Sequence, residues 1–316
     1  MPEETPNPAL ITLLAPVSGP MVPIEDVPDP VFAQKMLGNG VSIDPVDQRL
    51  VSPCNGKILH VHHAGHAVTV VTPEGVKILM HLGLDTVALK GKGFTSKVLA
   101  GQDVSTGETL IEFDADFLAI NAKSLLTQIV IANGDSVTDF SRCSGVVRAG
   151  VDPVMSFRVI KSLEISGDGL GKWIKSPEVP LPNPSGLHAR PAAVLANMAK
   201  RFKSEIVLVK GIQKANARSV VAIMGIEAGY GDMVCLEARG EDAETAIDTL
   251  LEALRGGLGD DACMPAPAAI VNTPDATPSP LNSPEPDILT GVPAAPGVAA
   301  RSEERRVGKE WRSRWS

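Results

Sequence analysis

The chain has 316 residues, 44% of them hydrophobic, 21% charged and only 3% aromatic. That apolar share supports packed cores and excludes a wholly disordered chain, and the length points to about two domains. Lys and Arg number 29 against 37 Asp and Glu, a net charge of −8, which argues against nucleic acid as the main partner. No run reaches the ~18 apolar residues of a membrane span. The acidic start Met1-Pro2-Glu3-Glu4 lacks the apolar stretch of a secretory signal. Cys54, Cys143, Cys235 and Cys263 form no CxxC pair and no disulfide framework. A reducing, cytoplasmic location is expected.

Over residues 1–165, short β-prone runs alternate with turn signals. The runs are 56–61, 68–72, 76–82, 109–113 and 128–131, with turns at Gly38-Asn39-Gly40, Pro73-Glu74-Gly75 and Asn133-Gly134. This spacing predicts an antiparallel all-β sandwich or barrel.

Five of the six histidines, His60, His62, His63, His66 and His81, lie in this segment. If 67–71 and 76–80 form a hairpin around the loop Thr72-Pro73-Glu74-Gly75, Val71 faces Val76, and the same register sets His66 opposite His81. Opposed residues share a face with Cβ atoms ~5 Å apart, so two imidazoles would stand side by side. A three-residue loop would break this pairing. Paired imidazoles can serve a phosphoryl group, one as nucleophile and the other as hydrogen-bond partner, or they can share a metal. Spacing alone equally allows two unrelated histidines on a surface strand.

Residues 166–176 open with the glycine-rich Ser166-Gly167-Asp168-Gly169-Leu170-Gly171 and read as a flexible linker. Residues 177–259 alternate element types. A helix over 192–202 is opened by Pro191, which suits a first turn. Strands follow at 205–209 and 234–238. A helix over 241–254 carries Ala243, Ala246, Ile247, Leu250, Leu251 and Leu254 on one face and stops at Gly256. The prediction is a small α+β open-faced sandwich. His188 lies just before its first helix, where free N–H groups and the helix dipole favour a phosphoryl group. Arg190 adds a guanidinium fork for phosphate oxygens. The plainer alternative is a capping-region histidine beside a solvent arginine. Ser219 suits the N-cap of a helix over 220–226.

Residues 260–287 hold seven prolines and read as a semi-rigid spacer. Residues 288–300 form a short further segment. Residues 301–316, RSEERRVGKEWRSRWS, hold two of the three tryptophans and fit no helical or strand period. A basic tail for an acidic partner is one reading. The favoured one is the translation of a sequencing adapter fused to the reading frame, which makes the chain a truncation.

Several motifs carry a family resemblance. Ala15-Pro-Val-Ser-Gly19, Val22-Pro-Ile-Glu-Asp-Val-Pro28, Ser52-Pro-Cys-Asn-Gly-Lys57, His66-Ala67, His81-Leu-Gly-Leu-Asp-Thr86, Leu89-Lys-Gly-Lys-Gly-Phe94 and Gly107-Glu-Thr-Leu-Ile-Glu-Phe113 resemble the glucose-type enzyme IIA domain of the bacterial sugar phosphotransferase system. The resemblance covers about 9–160. It implies that His81 is phosphorylated on Nε2, that His66 stabilises the phosphoryl group, and that Asp85 and Thr86 support the active histidine. Ala64 departs from the threonine of many members, so a hydrogen bond orienting His66 is missing or supplied elsewhere. His60, His62 and His63 match no functional position and read as surface or structural residues.

Gly186-Leu-His-Ala-Arg-Pro-Ala192 resembles the active-site signature of HPr, the histidine phosphocarrier of the same system, over 178–256. It implies phosphorylation of His188 on Nδ1 with assistance from Arg190. Ser185 replaces the asparagine of several relatives. Ala217-Arg-Ser219 is similar to a region some bacteria phosphorylate for regulation, against which stands the plain helix cap at Ser219. Leu289-Thr-Gly-Val-Pro-Ala-Ala-Pro-Gly-Val-Ala-Ala300 resembles the first strand of enzyme I. The order fits a fused multiphosphoryl transfer protein cut off where enzyme I begins.

The resemblance implies a relay from enzyme I to His188, to His81, and on to a sugar-specific enzyme IIB of a membrane permease of the glucose or N-acetylglucosamine class. No cofactor is expected in this chain itself, magnesium being required by enzyme I in trans. Neither GxxxxGK[ST] nor GxGxxG occurs. Two rivals differ in class. One is a regulatory protein whose paired histidines dock target proteins, with zinc bridging His66 and His81 to a partner carboxylate. The other is a metalloprotein built on His60, His62, His63 and His66.

Overall fold

The computed structural model describes residues 9–160 and 171–260. Residues 9–160 form antiparallel sheets throughout. An eight-stranded sheet has the spatial order Val146–Val147, Gly19–Pro23, Gly40–Ile43, Thr127–Ile131, Lys77–His81, Ala67–Val71, Gly56–Val61, Asp103–Val104. Two three-stranded sheets accompany it. The sheets do not close on themselves, so the sandwich describes the fold and the barrel does not.

Strand alternation decides what each sheet face carries. Val68, Val70, Ile78, Met80, Ile129 and Ile131 point into the main core with Leu13 and Phe157. The opposite face presents Ala67, Leu79 and Val130, packed with Val31, Phe32 and Leu37. His81 has the parity of Leu79 and so belongs to this second face.

The expected hairpin register is corrected by one residue. Ala67, not His66, pairs with His81, and Val71 pairs with Lys77. The loop is the three-residue Pro73-Glu74-Gly75, closed by the Thr72 N–H donating to the Val76 carbonyl at 2.9 Å. Gly75 at φ +88° supplies the left-handed residue that such a loop needs. His66 is thus left just outside the ladder, after Gly65 at φ +68°. Its side chain is free of the strand's alternation.

Residues 171–260 form an antiparallel sheet in the order Ile174–Lys175, Met233–Arg239, Glu205–Lys210, Gln213–Asn216, with Val179–Pro180 also paired to Met233–Arg239. Helices Ala189–Ala199, Val220–Gly225 and Ala243–Arg255 supply its core partners. The last buries Ala243, Ala246, Ile247, Leu250, Leu251 and Leu254, the face read from the sequence. The first starts three residues earlier than the sequence suggests, which makes His188 its N-cap residue. Pro191 is tolerated in the first turn because its missing N–H would have no helical partner there.

The two domains share one apolar cluster. Val31, Phe32 and Leu37 of the first pack in continuity with Leu187, Ala189 and Ala193 of the second. Around it, the Asn197 amide donates to the Met36 carbonyl at 3.0 Å, and His60 lies 3.9 Å from Glu227. Most of the expected linker start at 166–170, the spacer from 261, the enzyme I-like segment at 288–300, the tail at 301–316 and Cys263 lie outside the described residues.

Candidate phosphoryl-transfer site

His81 ends its strand with a fixed ring. Its Nδ1 lies 2.8 Å from the Gly83 carbonyl. A carbonyl only accepts, so Nδ1 carries the hydrogen and Nε2 keeps its lone pair. Gly83 turns that carbonyl back by adopting φ +70°, and a Cβ there would lie 2.7 Å from the Thr86 methyl and 2.8 Å from the Ser124 carbonyl oxygen. Thr86, fully buried, donates its hydroxyl to the Leu82 carbonyl at 2.8 Å. The turn after His81 is therefore braced by the Thr86 hydroxyl. Phe32 packs edge-on to the imidazole, ring centres 5.4 Å apart. His81 is 6% exposed. Burial lowers its pKa to about 4, against the pull of the Gly83 carbonyl and with a further push from His188. It is neutral at pH 7, as a nitrogen nucleophile must be.

His66 is 1% exposed. Its ring centre lies 4.9 Å from that of His81 with the planes at 75°. The two imidazoles are adjacent although their residues are not opposed in the ladder. Burial, then the neighbouring His81 and His62, hold the His66 pKa well below the usual value. Its Nδ1 has no hydrogen-bond partner among the described residues.

The second domain brings His188 to the same place. His188 and His81 line one cavity of about 20 Å³ together with Asp29, Phe32, Asp85 and Arg190. That is room for about one water molecule. His188 Nε2 lies 3.4 Å from Asp260 Oδ2. A carboxylate accepts, so Nε2 carries the hydrogen and Nδ1 offers the lone pair. Burial lowers the His188 pKa, while Asp260 works in the opposite sense. Arg190 donates Nη2 to Asp29 Oδ2 at 2.7 Å and lies 3.5 Å from Asp85 Oδ1. Burial opposes its charge, but the hydrogen bond and charge of Asp29 outweigh it and raise the pKa.

Ser185 sits half-buried in a groove beside His188 and makes no hydrogen bond to that ring among the described residues. Ser219 is an N-cap, its hydroxyl accepting from the Ala222 N–H at 3.3 Å. It stands apart from the cavity shared by His81 and His188. Among the described residues no group of three or more His, Cys, Asp or Glu side chains is arranged to hold a metal ion. His60, His62, His63 and His66, on which the metalloprotein reading is built, are thus not gathered as such a group.

Three residues at the site were given no part in phosphoryl transfer by the sequence. Asp29 is 5% exposed. It caps the short helix Pro30–Ala33 through the Val31 N–H and pairs with an arginine of the other domain. The Asp29-Pro30 pair signals a cap, but not a distant partner. Asp260, assigned to the spacer, instead folds back to Asn183 and His188. His62, taken as a surface or structural residue, is buried against His66 with ring centres 4.4 Å apart.

Comparison with known proteins places this geometry in a family. Residues 11–137 match the family model described as phosphoenolpyruvate-dependent sugar phosphotransferase system, EIIA 1. Residues 175–255 match the PTS HPr component phosphorylation site. The chain is 40% identical over 157 residues to the glucose-specific EIIA component of Halalkalibacterium halodurans, covering 49% of this chain and 91% of that protein. It is 43% identical over 148 residues to that of Haemophilus influenzae, covering 47% and 89%. Among solved structures, glucose permease IIA from Mycoplasma capricolum is 34% identical, with TM-score 0.45 and coverage of 47% of this chain and 96% of that one. An HPr from Thermoanaerobacter tengcongensis is 35% identical, with TM-score 0.26 and coverage of 29% and 99%. Among the described residues no helix is long and apolar enough to cross a membrane.

Proposed function

The chain belongs to the glucose-specific EIIA family of the sugar phosphotransferase system, with an HPr domain fused behind it, and we propose that its two domains hand a phosphoryl group from His188 to His81 within one molecule. It is a phosphotransfer protein acting in the phosphohistidine relay of glucose-type sugar uptake. The observation that carries the intramolecular reading is the single cavity that His188 and His81 share, with one ring nitrogen of each held by a neighbour, His81 Nδ1 by the Gly83 carbonyl and His188 Nε2 by Asp260.

In this step phospho-His188 carries phosphorus on Nδ1 and a hydrogen on Nε2. His81 Nε2 attacks in line, the Nδ1–P bond breaks, and its electron pair returns to His188 Nδ1. His81 keeps its hydrogen on Nδ1, so the phosphoryl group crosses and no proton moves. The positive charge of the phosphorylated ring passes from beside Asp260 to beside the Gly83 carbonyl. Phosphoryl transfer asks mainly for positioning and charge stabilisation. Arg190, anchored by Asp29, supplies charge at the path, and the small cavity excludes the bulk water that would hydrolyse the group.

Enzyme I loads His188 and a sugar-specific enzyme IIB unloads His81 on this reading, with phosphoenolpyruvate as the ultimate cytoplasmic donor. In the docked arrangement His81 is buried and His188 is partly covered. Docking is thus the transfer state, and loading and delivery occur with the domains apart. The sugar is of the glucose or N-acetylglucosamine class.

The test is incubation with phosphoenolpyruvate, magnesium and separate enzyme I, followed by mapping of phosphohistidines. Label on both His188 and His81 is expected, with the rate of His81 labelling independent of protein dilution. His188→Ala abolishes both. Label on His81 in that variant, or none on either histidine of the unaltered chain, overturns the proposal.

A further inference from the structure

His66 raises a question of orientation. It is almost wholly buried, and its Nδ1 has no hydrogen-bond partner among the described residues. The terminal torsion of a histidine is broad and nearly two-fold. A buried imidazole whose Nδ1 is unpartnered must therefore be oriented largely by what packs on it. Three rings do so: His81 at 4.9 Å, Phe94 at 6.3 Å, and His62, nearest at 4.4 Å between centres with the planes at 59°.

His62 is itself held firmly. Its N–H donates to the Ala67 carbonyl at 2.9 Å, and its own carbonyl accepts the Gly65 N–H at 2.7 Å. Its ring Nδ1 accepts the Ala64 N–H at 3.2 Å. The loop from His62 to Ala67 is thus closed by backbone bonds, and the His62 ring is pinned to the loop that carries His66. Ala64, at the centre of that loop, has no side-chain group that could hold His66 in its place.

We infer that His62 is a positioning residue for phosphoryl transfer, its pinned ring packing on His66 and fixing the orientation in which His66 meets a phosphoryl group on His81. The inference rests on His81 being the acceptor. His62 packs on His66 and lies outside the cavity shared by His81 and His188, but it also borders the groove that runs to Ser185 and His188, so hydrolysis of phospho-His81, which needs no His188, is the readout that reports on His66.

The experiment compares the full chain carrying His62→Ala, His62→Leu or His62→Phe with the unaltered chain, after loading by enzyme I and phosphoenolpyruvate. Two rates are read: transfer from His188 to His81, and spontaneous hydrolysis of phospho-His81. Small misplacement of a reacting group costs up to about 10²-fold. His62→Ala is expected to slow transfer about tenfold and to hasten hydrolysis, with labelling of His188 unchanged. His62→Leu, which fills the space without a flat ring, is expected to behave like alanine and covers a collapsed loop in the alanine variant. His62→Phe restores the flat ring without a nitrogen and is expected to restore both rates to within about twofold of the unaltered chain. Nitrogen-15 resonances of the His66 ring report its tautomer, expected to be single in the unaltered chain and mixed in His62→Ala. Unaltered rates in both the alanine and leucine variants overturn the inference, as does a phenylalanine variant as impaired as alanine. Absence of label on His81 in the unaltered chain overturns the relay itself, and is thereby distinguished from failure of the role given to His62.

Discussion

Arg190 and Asp29 stand 161 positions apart and meet at 2.7 Å across the domain boundary. The carboxylate does two jobs with its two oxygens. Oδ1 accepts the Val31 N–H at 2.9 Å and starts a helix, and Oδ2 holds the guanidinium. Asp29→Asn separates the two, because asparagine is an equally good cap but carries no charge. The expected result is an intact fold with docking weakened by up to about 1.5–3 kcal/mol, the worth of a hydrogen bond to a charged group. Stopped-flow measurement should show slower transfer from His188 to His81 and no loss in the rate at which enzyme I labels His188. Equal transfer rates in Asp29→Asn and the unaltered chain would remove this pair from the docking account.

Thr86 borders the cavity and braces the turn after His81 through the Leu82 carbonyl. Thr86→Val keeps its shape but strands the Leu82 carbonyl, at a cost of about 1–3 kcal/mol for a buried unsatisfied acceptor. The turn that presents the Gly83 carbonyl to His81 should loosen. The expected outcome is a lower melting temperature together with a lower rate of His81 labelling. A lower melting temperature with an unchanged rate would show that the hydroxyl serves folding alone.

Asp260 supports the hydrogen on His188 Nε2, and its charge raises a pKa that burial lowers. Asp260→Asn should therefore lower the His188 pKa further, as read by proton NMR titration of the ring. It should also disfavour the protonated ring of phospho-His188, so that transfer falls off at a lower pH than in the unaltered chain. An unchanged titration would place the carboxylate outside the site in solution.

The buried histidines predict an acid-sensitive fold. His62 titrates at about 3 and His81 at about 4, burial being the main cause in both, against an ordinary value of 6.5. At pH 7 both are neutral folded or unfolded and contribute no pH dependence. As pH falls below about 6.5 the unfolded chain takes up protons that the folded chain refuses, so stability is lost on acidification. The slope is about 1.4 kcal/mol per pH unit for each such histidine. It should appear between pH 6.5 and pH 4.5, above the range where carboxylates such as Glu25, held at about 2 by Arg142 and Lys35, begin to contribute. Urea unfolding across that interval checks it, and a flat profile would contradict the burial of these rings.

The amino-acid sequence by itself determined the local grammar of this protein. The alternation of Ile78 and Met80 against Leu79 and His81 set which face each side chain takes, because strand side chains repeat every two residues. The apolar face from Ala243 to Leu254 specified its helix for the matching reason at a period of 3.6. The motifs around His66, His81 and His188 carried the family resemblance, since each is a run of consecutive residues that is legible without the fold.

Tertiary structure decided what lies between distant segments. Turn geometry at Gly75 moved the hairpin register by one residue, a choice between two common loops that sequence spacing leaves open. The Arg190–Asp29 pair, the return of Asp260 to His188 and the packing of His62 on His66 have no periodic signal, because each depends on where two separately folded stretches meet. Local propensity fixes the elements. Only the docking of one domain's apolar face on the other brings His188 and His81 into one cavity.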